Sequence, residues 1–109
     1  MLVAAPIRLA GGNTANEGRV EIKYDGEWGT VCNNGWDLTD AVAVCKDLGH
    51  PGAEKAVTSG DFGPGSGPIF LDEVDCSENE TSFFNCPSNG YYNNTCSHSQ
   101  DAGVICSRK

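Results

Sequence analysis

Charged and apolar side chains alternate along residues 19–24, which is the clearest strand signal in the chain. The order is Arg19, Val20, Glu21, Ile22, Lys23 and Tyr24. A period of two predicts a strand with one solvated, charged face and one apolar face directed to a core. Asp25-Gly26 is a favoured two-residue hairpin turn, so we expect residues 28–32 to return beside the first strand. Glu17 to Cys32 is therefore predicted to form a hairpin with one wet face.

One amphipathic helix is predicted from Leu38 to Leu48. Its apolar residues recur at helical spacing and predict one inward-facing stripe, made of Leu38, Ala41, Val42, Cys45 and Leu48. Asp37 or Thr39 can cap the start of the helix, and Gly49 suits the left-handed position just after its end. Because Cys45 lies on the inward stripe, we expect a disulfide to join the helix to the core.

Shorter apolar runs complete the predicted fold. Further strands are expected at Ile7 to Leu9, Ile69 to Leu71 and Gly103 to Cys106. A helical turn over Thr81 to Asn85 is expected to direct Phe83 or Phe84 inward, while Tyr91 and Tyr92 fall in a polar loop. These elements predict a small, disulfide-rich α+β domain in which a curved, twisted sheet of short strands cradles one main α-helix.

Six cysteines lie from residue 32 onward: Cys32, Cys45, Cys76, Cys86, Cys96 and Cys106. An even number in a short, loop-rich chain is typical of a disulfide framework, which persists in oxidising compartments. The alternative is a zinc site, but such sites usually contain close ligand pairs. The closest Cys/His pair, Cys96 and His98, has nothing comparable to complete it. We therefore expect three disulfides, whose pairing the spacing leaves open, and an extracellular location, either secreted or on an ectodomain.

The charge balance narrows the range of partners. Fifteen acids against 7 bases give a net charge of −8, and the bases form no run. Nucleic-acid binding therefore has little electrostatic support. Capture of polyanions by a basic patch would need the fold to gather Arg8, Arg19 and Lys23. No apolar run approaches the length of a membrane span, so we expect no membrane insertion by this domain.

The 109 residues suit one domain, which we expect to be part of a larger chain. Residues 1–6 are interpreted as a linker or added tail, residues 7–107 as the domain, and residues 108–109 as a C-terminal tail.

Catalytic residue types occur near the C-terminus without a catalytic motif. Ser97, His98, Ser99 and Asp101 supply the residue types of a hydrolytic triad, but closeness in sequence does not establish triad geometry. Ser66 follows Gly65 but lacks the first glycine of a nucleophile elbow. With every cysteine oxidised, no thiol nucleophile remains. We expect no enzymatic activity and no cofactor.

Two glycosylation sequons and one acidic cluster complete the candidate sites. The sequons begin at Asn79 and Asn93, both in predicted polar loops, and Asn93 is three residues from Cys96. The acidic residues are Asp72, Glu73 and Asp75. We interpret the acidic cluster as a solvated strand end rather than a Ca²⁺ site.

Several ordered motifs resemble the scavenger receptor cysteine-rich domain. They are Gly18 to Ile22, Trp28 to Cys32, Trp36-Asp37, Ala41 to Gly49, Gly67 to Ile69, Leu71 to Val74, Cys96 to His98 and Asp101 to Cys106. The resemblance covers Ile7 to Cys106, and six cysteines rather than eight make the chain similar to the group A form. It implies a curved sheet cradling one helix, and the disulfides Cys32–Cys96, Cys45–Cys106 and Cys76–Cys86.

The resemblance also implies a function, because domains of this family are extracellular, non-catalytic recognition modules. It implies a ligand-binding module of a scavenger-receptor-like or secreted defence protein that recognises microbial, polyanionic or protein ligands. The alternative is an accessory protein–protein module in a mosaic extracellular enzyme, such as a serine protease or a lysyl oxidase-like enzyme.

The family's usual cation site maps onto Asn33, Asn34 and Gln100. In the family these positions are acids that bind Ca²⁺, whereas here all three are amides. An amide oxygen can coordinate calcium but carries no charge, so most of the electrostatic attraction is lost. We expect Ca²⁺ to bind there weakly or not at all. Asp72 matches an acid of a second family cation site.

Overall fold

The computed structural model describes residues 6–80 and 82–108, in which a sheet of short strands packs against one α-helix. The strands are β1 (Ile7–Ala10), β2 (Glu17–Tyr24), β3 (Glu27–Val31), β4 (Ala53–Val57), β5 (Ile69–Leu71) and β6 (Gly103–Cys106). The helix α1 spans Leu38–Asp47, and two 3₁₀ turns span Phe83–Asn85 and His98–Gln100. Most of the interpreted linker (residues 1–5), Thr81 of the first sequon and Lys109 of the C-terminal tail lie outside the described residues. The predicted α+β class is confirmed.

The sheet has the strand order β4-β6-β2-β3-β5, and β1 also pairs with β2. The longest strand, β2, is antiparallel to β1, β3 and β6, whereas β3 and β5 run parallel. The predicted hairpin is present, with Tyr24 opposite Glu27. At its tip Asp25 and Gly26 both have positive φ, of 55° and 81°. That conformation is the one for which the Asp-Gly turn is favoured.

The charged face of β2 is not solvent-exposed along its whole length, which corrects the expectation that this face of the hairpin is solvated. Glu21 is only 6% exposed, because β1 lies beside β2 and places Arg8 directly opposite it. Arg8 and Arg19 donate hydrogen bonds to separate carboxylate oxygens of Glu21, at 2.8 and 2.9 Å. The fold therefore does gather two of the bases, but around an acid that neutralises part of their charge.

The helix begins as predicted, and Ala41 and Cys45 of the predicted stripe are buried, but the stripe does not extend to Leu38. Asp37 forms the N-cap and exchanges reciprocal hydrogen bonds with Asp40. The buried residues of α1 are Asp40, Ala41, Val44 and Cys45. Leu38, predicted to face inward, is 50% exposed. Because the Ala41–Val44–Cys45 side packs on the sheet, Leu38 lies beside that contact and lines an open groove against Ser77 and Glu80.

Strand β4 had no clear sequence signal, because the polar side chains of Glu54 and Lys55 lie at its centre. It forms through long-range pairing with β6. The core between the sheet and α1 contains Val20, Ile22, Val31, Phe70, Phe83 and Val104, all fully or almost fully buried. No helix among the described residues has the length and apolar character needed to cross a membrane.

Three disulfides connect these elements, and they are the pairs that the resemblance implies. Cys32–Cys96 joins the end of β3 to the segment before the second 3₁₀ turn. Cys45–Cys106 joins α1 to β6, and Cys76–Cys86 closes a loop with a sequence separation of 10. Every cysteine is therefore bonded, and no free thiol remains.

Candidate functional site

Asn33, Asn34 and Gln100 lie together beside the Cys32–Cys96 disulfide. The backbone N–H of Asn33 donates to the carbonyl of Gln100 at 2.7 Å, which fixes the segment after β3 against the second 3₁₀ turn. The side-chain amide of Asn34 approaches Cys96 Sγ at 3.8 Å. The fold therefore brings the three predicted positions into one surface cluster.

The side-chain amides of Asn33 and Gln100 already form hydrogen bonds within the domain. Asn33 Nδ2 donates to the carbonyl oxygen of Thr58 at 2.7 Å. Gln100 Oε1 accepts a hydrogen bond from the backbone N–H of Ser97 at 3.1 Å, and its Nε2 lies 3.8 Å from Cys32 Sγ. A cation would have to compete with these contacts for the Gln100 oxygen and would meet no carboxylate from any of the three positions.

Asp72, the second candidate, stands close to the same disulfide. Its carboxylate lies within 4.8 Å of Cys32 Sγ and Cys96 Sγ, and within the described residues no other trio of His, Cys, Asp or Glu groups is this close. The two sulfurs are bonded to each other, so they offer no thiolate ligands. Asp72 is 6% exposed and accepts a hydrogen bond from the N–H of Glu73 at 2.9 Å. It supplies one carboxylate, which alone makes a poor Ca²⁺ site.

His98 and Asp101 form an ion-paired contact, but they do not form a triad. His98 Nδ1 lies 2.9 Å from Asp101 Oδ2, and His98 Nε2 lies 2.9 Å from the carbonyl oxygen of Gly67. The Nε2 position would have to face a serine hydroxyl to activate it. Ser97 and Ser99 instead contact each other, with 2.7 Å between their hydroxyl oxygens.

The contacts of His98 favour its charged form. Burial lowers the pKa of His98, but the Gly67 carbonyl and the Asp101 carboxylate outweigh it and raise the pKa above 6.5. An imidazolium has two N–H donors and can bond both acceptors, whereas neutral imidazole has only one. Asp101 also accepts from the N–H of Gly65 at 2.7 Å. The pair therefore holds the glycine-rich loop, a role that the sequence did not indicate.

The asparagines of both sequons lie in surface loops. Both Asn79 and Asn93 are exposed and lie outside the strands and helices. Asn93 Nδ2, the atom that a glycan would modify, donates to the carbonyl of Asn89 at 2.9 Å. The next residue, Asn94, bonds the carbonyl of Ile69 and the N–H of Cys96. Both asparagines of the second sequon are therefore held by side-chain hydrogen bonds.

Comparison with known proteins identifies the family. A family model described as "Scavenger receptor cysteine-rich domain" matches residues 10–107. Galectin-3-binding protein of Bos taurus is 54% identical over 103 residues, which are 94% of this chain and 19% of that protein. Galectin-3-binding protein of Rattus norvegicus is also 54% identical, over 93% of this chain and 18% of that protein. The chain thus spans less than a fifth of these curated relatives.

Two solved structures share the fold and much of the sequence. The third SRCR domain of murine neurotrypsin has a TM-score of 0.84 and 45% identity, covering 93% of this chain and 94% of that one. The dimeric form of the SRCR domain of mouse MARCO has a TM-score of 0.78 and 43% identity, covering 92% and 93%. The three disulfides agree with an extracellular location. The chain belongs to the scavenger receptor cysteine-rich family.

Proposed function

We propose that this domain is a non-enzymatic recognition module of a longer extracellular protein, and that it binds a protein ligand without Ca²⁺. The observation that carries the proposal is the amide cluster of Asn33, Asn34 and Gln100. Its members bring no carboxylate, and the Asn33 and Gln100 side chains hydrogen-bond within the domain. Ligand capture through a bound cation therefore has little support.

A protein ligand is favoured over a polyanion by the charge distribution. The net charge is −8, and the bases that the fold gathers, Arg8 and Arg19, both pair with Glu21. A polyanionic ligand would meet long-range repulsion from such a surface.

The proposal that the domain is not an enzyme is supported by His98, whose Nε2 is hydrogen-bonded to the carbonyl oxygen of Gly67 rather than to a serine hydroxyl.

The relatives provide a defined protein to test. Those at 54% identity are called Galectin-3-binding protein, so we propose galectin-3 as a first partner for this chain. The proposal is specific because it assigns the interaction to this domain, which covers less than a fifth of those proteins.

Surface plasmon resonance with the immobilised domain tests the proposal. Galectin-3 and dextran sulfate are passed over it in buffer containing CaCl₂ and in buffer containing EDTA. We expect galectin-3 to bind equally in both buffers and dextran sulfate to bind in neither. Galectin-3 binding that disappears in EDTA, or Ca²⁺-dependent retention of dextran sulfate, would overturn the proposal.

A further inference from the structure

Three tyrosines form an aromatic surface beside the tip of the β2–β3 hairpin, which we call the tyrosine shelf (Tyr24, Tyr91 and Tyr92). The rings of Tyr24 and Tyr91 are stacked, with centroids 3.8 Å apart and an interplanar angle of 17°. The centroid of Tyr92 lies 6.1 Å from that of Tyr24. All three contact the buried ring of Phe70, so the shelf rests on the core.

The shelf is exposed and held in place. Tyr24 is 39% exposed and Tyr92 is 54% exposed, and these are two of the three large apolar side chains most accessible among the described residues. The N–H of Tyr92 donates to the carbonyl of Phe70 at 2.9 Å. Its φ of 65° is uncommon for a bulky residue. The backbone therefore holds this ring at the surface, where it is available to a ligand without rearrangement.

Acidic side chains lie beside the shelf. Partial burial raises the pKa of the Tyr92 hydroxyl, and the nearby carboxylates of Asp25 and Glu27 raise it further. Both acids are exposed at the hairpin tip. Lys23 is the adjacent base in the sequence, but side chains alternate along β2, so it projects to the face opposite Tyr24. The shelf thus combines aromatic faces with negative charge.

The domain contains an internal example of a group that suits this combination. The guanidinium of Arg8 lies 4.1 Å from the centroid of Trp28, and its Nε donates to Glu21 at 2.8 Å. A guanidinium stacks on an aromatic face while it bonds a carboxylate, and both interactions are stronger for arginine than for a neutral ligand. Within residues 6–80 and 82–108, no arginine or lysine lies over the tyrosine shelf.

We propose that the tyrosine shelf, with Asp25 and Glu27, binds an arginine-containing cationic segment of a partner protein. This inference rests on the proposed function, because it names the partner chemistry of the same recognition module. The net charge of −8 attracts such a segment from a distance, and the shelf provides the contact that selects arginine. Neither the long-range attraction nor the contact with the tyrosine shelf requires a bound cation.

Binding of fluorescent hexa-arginine peptide by anisotropy tests the inference, with unglycosylated domain whose six cysteines are shown to be oxidised by intact mass. Tyr92→Asn removes the ring and suits the positive φ, so the fold is preserved. We expect this variant to bind about twofold to fivefold more weakly, since exposed cation–π contacts are modest. Tyr92→Phe retains the aromatic face and should bind like the wild type.

Matched charge variants distinguish binding at the tyrosine shelf from attraction by the overall negative charge of the domain. Asp25→Asn with Glu27→Gln should weaken binding about threefold or more. Glu54→Gln with Glu78→Gln changes the net charge equally at exposed sites on β4 and beside α1, and should have little effect. Equal weakening by both pairs, unchanged binding by Tyr92→Asn, or no saturable binding would overturn the inference. The galectin-3 and dextran sulfate comparison uses other ligands, so failure of the inference can be distinguished from failure of the proposed function.

Discussion

The buried carboxylate of Asp40 accepts a hydrogen bond from the backbone N–H of Cys76 at 2.8 Å. Its other oxygen accepts from the N–H of Asp37 at 2.9 Å. One side chain therefore both caps α1 and anchors the loop closed by Cys76–Cys86. Burial raises the pKa of Asp40 from 3.8 to about 6, although the two N–H donors oppose the shift.

Asp40 is expected to make stability depend on pH. Because its folded pKa exceeds its unfolded value of 3.8, the folded state binds the proton more tightly, and the free energy of unfolding rises as pH falls from about 7 to 4. The shift corresponds to about 3 kcal/mol at most. Urea denaturation across this range should show the stability of the wild type rising relative to Asp40→Asn as pH falls. Parallel profiles for the two proteins would contradict the assignment.

His98 is expected to make the stability of the domain depend on pH at neutral and weakly basic pH. Its raised pKa means that its stabilising contribution is complete below about 6.5 and is lost as pH rises through the folded value. The stability difference between wild type and His98→Ala should therefore shrink from pH 6 to pH 8.5. His50→Ala is the matched control, because His50 lies outside this contact. A difference that is constant with pH would show that His98 contributes by packing alone.

The long Cys45–Cys106 bridge should stabilise the domain more than the short Cys76–Cys86 bridge. Their sequence separations are 61 and 10, and the chain-entropy term alone favours the longer loop by about 1.5 kcal/mol. Cys45 and Cys106 are also fully buried, so their removal leaves a cavity. Thermal denaturation of the two double-alanine variants measures the order. A lower melting temperature for the Cys76→Ala, Cys86→Ala variant would contradict the prediction.

Restoring acids to the amide cluster should create Ca²⁺ binding. At an effective dielectric near 20, each charge pair at about 4 Å is worth roughly 4 kcal/mol before hydration is offset. Calorimetry should detect little Ca²⁺ binding by the wild type and clear binding by Asn33→Asp, Asn34→Asp, Gln100→Glu. We also expect Asn33→Asp alone to destabilise the apo domain, because it replaces a donor to the Thr58 carbonyl with a negative charge. A triple variant that folds but binds no Ca²⁺ would show that these positions are not the family's cation site.

Asn79 should be glycosylated more fully than Asn93 in a eukaryotic host. Asn93 Nδ2 is already hydrogen-bonded and lies three residues from a disulfide cysteine, both of which restrict access to the transferase. Site-specific glycopeptide mass spectrometry measures both occupancies, and Asn93→Gln serves as the control that leaves Asn79 unchanged. Higher occupancy at Asn93 would contradict the prediction.

Local patterns predicted the elements whose signals are contained within a few residues. The alternation along β2 and the Asp-Gly turn indicated the hairpin, and the apolar spacing after Asp37 indicated α1. Strand β4 was not predicted, because it exists through pairing with β6, about fifty residues away in sequence. Leu38 was expected to face inward but is half exposed beside the packed face of α1, since the orientation of a helix depends on what it packs against.

Among the candidate sites, too, some were predicted from local motifs and others were not. The amide cluster was predicted through a motif resemblance, and the fold brings its members together. The tyrosine shelf was not predicted. Tyr24 is the last residue of an alternating pattern whose apolar face was expected to be directed to the core, whereas Tyr91 and Tyr92 lie much later in the sequence, in a polar loop. Glu21 was interpreted as solvated, and only the pairing of β1 with β2 reveals that Arg8 covers it. Contacts between distant segments carry no local signal.

The two long disulfides have a consequence for the domain outside the cell, where proteases are abundant. Cys32 and Cys45 precede β4 and the glycine-rich loop at residues 60–68, whereas their partners Cys96 and Cys106 follow both. A single backbone cleavage anywhere between Cys45 and Cys96 therefore leaves both fragments covalently joined at two points or more. A nicked molecule can keep its sheet and its surface intact, and it separates into two pieces only after reduction.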